Sequence, residues 1–144
     1  MPKFLRIFLA VLLGFVIGSI VNMGLITIGG KVIPPPVGAD MSSMQGLKNA
    51  MQLFEAKHFL FPFLAHALGT LVGALVASLA TKHQPALAAS IVAALFLMGG
   101  IASVFLLAGP AWFNAVDLLF AYLPSAWLGH TLATRLLSVR SNPI

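Results

Sequence analysis

Cysteine is absent from the chain. Disulfides, thiolate nucleophiles and cysteine-held metals are thereby excluded, and nothing marks the redox compartment. Acids are nearly as scarce: the three carboxylates, Asp40, Glu55 and Asp117, stand against eight lysines and arginines. Glu55-Ala56-Lys57-His58 reads E-x-x-H, but a carboxylate-bridged di-iron bundle needs a second such motif and further glutamates, and Glu55 is the one glutamate here. No H-E-x-x-H and no G-x-S-x-G occurs, which removes the zinc-protease and serine-hydrolase signatures. A haem would need an axial histidine; His66 is a candidate by residue type, yet a single buried histidine is more often packed or hydrogen-bonded. We expect no metal and no cofactor. Charged residues of all kinds make up 8% of the chain, against about 25% in a soluble domain.

What fills the chain instead is apolar: 60% of 144 residues, in continuous runs. In hydrocarbon every backbone N–H and C=O must be satisfied within the protein, by helices or by a closed barrel. Barrel strands alternate apolar and polar over ~10 residues, and these runs do not alternate. The sequence therefore predicts an all-α integral membrane protein, one transmembrane domain over 1–144, with spans at about 4–28, 59–80, 86–108 and 111–134 packed as a four-helix bundle. The first run begins like a signal peptide, with Lys3 and Arg6 ahead of it, but its apolar part is too long for an h-region and no A-x-A site follows. Gly109-Pro110 makes a tight turn between the last two spans. Pro62 and Pro124 mark span starts or kinks.

The net charge of +5 does not point to nucleic acid, because the basic residues stand singly at the ends of apolar runs. Four spans place Lys3, Arg6, Lys82, Arg135 and Arg140 on one side and Lys31, Lys48 and Lys57 on the other. The positive-inside bias puts the first group, and both termini, in the cytoplasm. Residues 29–58 are then the outer loop. Pro34-Pro35-Pro36 is stiff and extended. Ser42 with Gln45 matches a capping box, and Met44, Leu47, Met51 and Phe54 follow at helical spacing, which predicts an amphipathic helix lying on the membrane or lidding the bundle. Trp112 suits an interfacial anchor. Small residues recur at helical spacing: Gly14 and Gly18 in the first span, Gly69, Gly73 and Ala77 in the second, Ala86, Ser90, Ala93 and Ala94 in the third. Such stripes mark close helix–helix contact, within one bundle or between copies.

The stretch FPFLAHALGTLVGA (61–74), with the earlier PPP and the later MGGIAS (98–103) and PAWF (110–113), resembles small four-helix proteins of the bacterial inner membrane. That resemblance implies the fold and the location, a multi-pass inner-membrane protein among membrane lipids. It transfers no activity and no site residue.

Counting 1.5 Å per residue from the outer span ends puts His66 about 10 Å deep and Asp117 and Asn22 about 9 Å deep. These three form an expected polar layer in the outer leaflet, with Thr70 beside His66 and Asn114 beside Asp117. Glu55 and His58 lie above it as possible contributors. A lone carboxylate costs at least ~2.5 kcal/mol on membrane insertion scales, so Asp117 needs a partner, and His66 is the natural one. On an unbroken fourth helix Tyr122 and His130 point away from Asp117. Three function classes stay open. The first is a small transporter or channel, a homo-oligomer because four helices rarely enclose a path alone. The second is a membrane enzyme acting on a lipid-soluble substrate, with His66 and Asp117 as acid–base pair. The third is an accessory scaffold without a site. A transmembrane path needs polar residues in the inner half too, and Ser78, Ser90, Thr131 and Thr134 are few.

Overall fold

The computed structural model describes the backbone of residues 1–141 and the side chains of residues 1–139. The Arg140 side chain and the C-terminus at Ile144, expected on the cytoplasmic side above, fall outside those bounds. The elements are α1 (Lys3–Val32), α2 (Met44–Ala50), a 3₁₀ turn (Ala56–Phe59), α3 (Leu60–Ala80), α4 (Pro85–Leu107), α5 (Ala111–Phe120) and α6 (Leu123–Ser141). The described residues form helices and no strands. Three segments are long and apolar enough to cross a membrane: Lys3–Val32, Ala56–Ala80 and Pro85–Leu107.

Glycine sets how closely α1 and α3 approach. A Cβ at Gly14 would overlap the Gly73 carbonyl, and one at Gly18 the Gly69 carbonyl; in return Cβ atoms at Gly69 and Gly73 would come within 2.9 Å of Gly18 O and Gly14 O. The pairing of 14 with 73 and 18 with 69 makes the two helices antiparallel. The stripe of small residues in each span is thus spent on this contact. Val92 and Phe96 of α4 pack against the same seam, and Val11, Ala77, Ala88, Val92, Phe96 and Tyr122 share one buried cluster. The outward faces carry large apolar residues such as Phe8, Leu12, Ile20, Met98 and Phe105. A chain with this much exposed hydrocarbon needs lipid around it.

The stretch expected as one span from 111 to 134 is broken. α5 closes with Ala121 N–H donating to Asp117 O at 2.9 Å, and α6 opens with Ala126 N–H donating to Tyr122 O at 2.9 Å. Pro124 explains the break: it lacks the N–H that would bond Phe120 O, and its ring clashes with that carbonyl. At the other end of α4 the chain leaves through Ala108 in the left-handed region (φ 49°), so that Gly109 and Pro110 turn straight into α5.

The outer loop also differs from expectation. Ser43, not Ser42, caps α2, accepting from Gly46 N–H at 2.9 Å. Ser42 instead donates both its hydroxyl and its N–H to Asp40, and this holds the Asp40 carboxyl below the usual carboxylate range. The helix ends at Ala50, so Met51 and Phe54 belong to the turn that follows it rather than to a continuous amphipathic face.

Candidate functional site

α3 and α5 bring His66 and Asp117 together. His66 Nδ1 lies 2.8 Å from Asp117 Oδ1 and 2.9 Å from Oδ2. Asp117 is 4% exposed, and a carboxylate so enclosed depends on its donors. The second donor is Tyr122, whose hydroxyl donates to Asp117 Oδ2 at 2.8 Å. The Tyr122 ring also stacks on the His66 ring, centroids 5.6 Å apart. Gly100 makes room for it, since a Cβ there would overlap the Tyr122 hydroxyl.

Tyr122 was expected to point away, and the structure corrects this. On a continuous helix a residue five after Asp117 faces elsewhere; the break before Pro124 swings it back. The sequence held a signal for it. Tyr122 is the single tyrosine of the chain, five residues after the single acid within the apolar runs and two before a proline.

With Nδ1 turned to the carboxylate as its donor, His66 has Nε2 as its remaining ring nitrogen. Nε2 then presents a lone pair. Among the described residues Nε2 forms no hydrogen bond, and no buried side-chain nitrogen or oxygen lacks one. Nε2 therefore keeps access to open space. His66 lines a cavity of about 210 Å³ with mainly apolar walls. Pro62 and His66 come from α3, Ser103 and Leu107 from α4, and Phe113, Asn114 and Asp117 from α5. Met41, Leu47, Met51 and Phe54 of the outer loop complete it. The rim is aromatic: Phe59 lies tilted against Phe113 (4.6 Å between centroids) and meets Trp112 and Phe54 edge-on at 5.5 and 5.7 Å. A second cavity of about 270 Å³ lies on the α1 side, where Ser19 and Asn22 face His66, Ser103 and Tyr122.

The other expected residues take varied places. Asn22 is half-buried in the wall of that second cavity, with no side-chain hydrogen bond among the described residues. Thr70 is buried, and its hydroxyl donates to His66 O at 2.7 Å; it serves the helix backbone and lines neither cavity. Asn114 donates from Nδ2 to Gly109 O at 3.0 Å, closing the α4–α5 turn, while its side chain also lines the first cavity. Glu55 and His58 do not reach the pair. Glu55 is exposed and forms a 3.0 Å ion pair with Lys57, whose hydrogen bond holds the Glu55 carboxyl below its ordinary range. His58 Nδ1 accepts from Glu55 N–H at 2.9 Å. The E-x-x-H spacing thus makes a reciprocal cap for the 3₁₀ turn.

Sequence reading also passed over the inner half. His130 of α6 pairs through Nδ1 with the Ser78 hydroxyl at 3.1 Å, and that hydroxyl donates to Pro85 O at 3.3 Å. Between this pair and the outer triad, Ala74, Ala77, Ala88, Val92 and Ala93 are all buried and fill the centre of the bundle. Comparison with protein families, with curated proteins and with solved structures gives no match to this chain.

Proposed function

We propose that the chain crosses the bacterial inner membrane four times as one bundle, with both termini cytoplasmic. We further propose that it holds, in the outer leaflet, a pocket for a small lipid-soluble molecule that hydrogen-bonds to His66. α5 and α6 together make the fourth crossing. Their 10 and 19 residues give about 15 and 28 Å of helix, enough to pass the ~30 Å hydrocarbon core even with a bend between them. The placement of Lys3, Arg6 and Lys82 at one end, with Lys31, Lys48 and Lys57 at the other, supports the orientation.

One observation carries the pocket reading. His66 has one ring nitrogen fixed by a buried carboxylate and the other free beside an apolar cavity. A pocket of this kind takes a hydrophobic guest and orients it by a few polar groups. Nε2 accepts from an O–H or N–H of the guest; the Ser103 hydroxyl and the Asn114 amide are further polar groups lining the same cavity. Asp117 stabilises the imidazolium that forms if the proton is taken, so the same atoms supply a general base. A conduit through a single copy fits less well, because the alanine-rich centre is closed to water. A transporter would need a second copy or a different state.

Mass spectrometry of organic extracts from the purified protein tests this reading. We expect a small apolar molecule to accompany the wild type and to be lost in His66→Leu, with partial retention in His66→Gln. Leu119→Ala, on the exposed lipid-facing side, should keep it. Identical extracts from all four proteins, each still folded, would sink the pocket.

A further inference from the structure

We propose that the groove at the opposite end of the bundle, between the start of α1 and the α3–α4 turn, binds the anionic headgroup of a phospholipid. The inference is independent of the His66 pocket. The groove measures about 640 Å³ and is lined both by basic residues, Arg6, Lys82 and His83, and by apolar ones, Leu9, Leu13 and Ala80. A cationic mouth leading onto an apolar wall is the complement of a phosphate ester carrying an acyl chain.

The charges here are uncompensated. Asp40 and Glu55 lie in the loop at the far end, and Asp117 is tied to His66 and Tyr122 in the other half. No carboxylate side chain is therefore left to pair with Lys3, Arg6 or Lys82. Arg6 turns instead to a neutral acceptor. Its Nη1 donates to His83 Nε2 at 3.2 Å, and because arginine only donates, the imidazole nitrogen must accept. The guanidinium keeps its other N–H groups for a phosphate, which it can grip with two parallel bonds.

The turn that carries His83 is built rather than loose. Thr81 is 3% exposed; its hydroxyl donates to His83 O at 3.0 Å and accepts from His83 N–H at 3.1 Å. This fixes the imidazole against Arg6, and Lys82 lines the same groove. Basic residues at helix ends also orient a chain in the membrane, but orientation requires neither a groove nor a buttressed Arg–His contact. Anionic headgroups at such basic sites follow ordinary interfacial electrostatics.

Native mass spectrometry of protein released from nanodiscs can decide the matter. The discs would be phosphatidylcholine with a minor share of phosphatidylglycerol. The wild type should retain phosphatidylglycerol well above its share. The double variant Arg6→Gln with Lys82→Gln should lose that preference about tenfold or more, as expected when two interfacial cations are removed. Arg6→Lys should fall between, because it keeps the charge and loses the fork. Lys31→Gln with Lys57→Gln, at the far end, should change nothing. If the double glutamine variant cannot be purified, His83→Ala, which leaves the lysine and arginine charges in place, should still lower retention. Equal retention of the two lipids, an equal loss in the far-end variant, or release of the lipid by inorganic phosphate alone would overturn the proposal.

Discussion

Asp117 is the residue on which the outer half turns, because it is the one acid placed where water cannot serve it. One donor comes from α3 and the other from the break between α5 and α6. His66 offers a proton that can move; Tyr122 offers one that stays. Losing either leaves a buried carboxylate short of a donor, which typically costs 1–3 kcal/mol or more for a charged group. Tyr122→Phe should therefore lower stability in detergent by about 2 kcal/mol while keeping the stacked ring. Asp117→Ala strands the histidine and should cost more, about 3–5 kcal/mol; Asp117→Asn, which keeps volume and hydrogen bonding, should be milder. His66→Leu combined with Asp117→Leu should recover part of what either single change loses, since neighbours in contact do not add. Unfolding of the singles and the double gives the coupling energy. Strict additivity would mean that the 2.8 Å contact is not made in the membrane protein. The pairing itself was legible from depth counting and the cost of a lone carboxylate. The third member was not, since the helical wheel that excluded Tyr122 assumed an unbroken span.

Elements show the same division between what pattern reveals and what a single backbone event overrides. The spans at 59–80 and 86–108 follow from apolar runs bounded by Lys57-His58, by Gln84-Pro85 and by Gly109-Pro110, and α3 and α4 match them within a residue or two. α1 runs four residues past the expected end at 28, through Gly29 and Gly30, because Gly29 lies buried against Phe61. Tertiary packing outweighs the helix cost of glycine there. The stripes of small residues announced close contact without saying which helices meet. That pairing predicts an asymmetry among the α1 glycines. Gly24→Ala meets nothing within 4 Å and should be neutral or slightly stabilising. Gly14→Val should push α1 off α3 and destabilise by about 1–3 kcal/mol or more. Equal thermal stability of the two variants would contradict the seam. In the loop, Asp40 is the element-scale anchor, accepting from Ser42 and Ser43. Its carboxyl is held low in the folded loop, so its contribution is complete above the ordinary aspartate value of about 4 and is lost as pH falls through the lowered folded value. Proteolysis of the loop should accelerate on acidification in the wild type. In Asp40→Asn it should be faster already at neutral pH, with little further change. A pH response shared by both would place the effect elsewhere.

At the scale of the whole molecule, polarity is arranged in two separate levels joined by an apolar centre. The outer level is His66, Asp117, Tyr122 and the cavities around them; the inner level is Ser78 with His130, and beyond it the basic groove at Arg6 and His83. Buried alanines fill most of the space between the levels, with Thr70 and Ser125 the buried polar side chains among them. This arrangement suits a protein that receives molecules from the bilayer at each end more than one that passes ions through. The proposed four-crossing topology draws on the same helix order. α1 and α3 are antiparallel through their glycine seam; α4 returns after a short turn at 81–84, and α5 leads into α6 in the direction opposite to α4. Four crossings would bring the end of α6 back to the side of Lys3 and leave the loop at Asp40 alone on the other side. Three crossings, with α5 and α6 both lying along one surface, would place the C-terminal region beside that loop instead. A reporter active only in the cytoplasm, fused after Ile144, should be active, and a reporter active only outside, inserted near Asp40, should be active as well. The α5–α6 crossing can be probed directly by placing single cysteines at Leu119 and Leu132, both exposed from the protein, in this naturally cysteine-free chain. Both should resist water-soluble thiol reagents and react with lipid-soluble ones. Labelling of both by the water-soluble reagent, with the terminal reporter silent, would replace the four-crossing bundle by a three-crossing one.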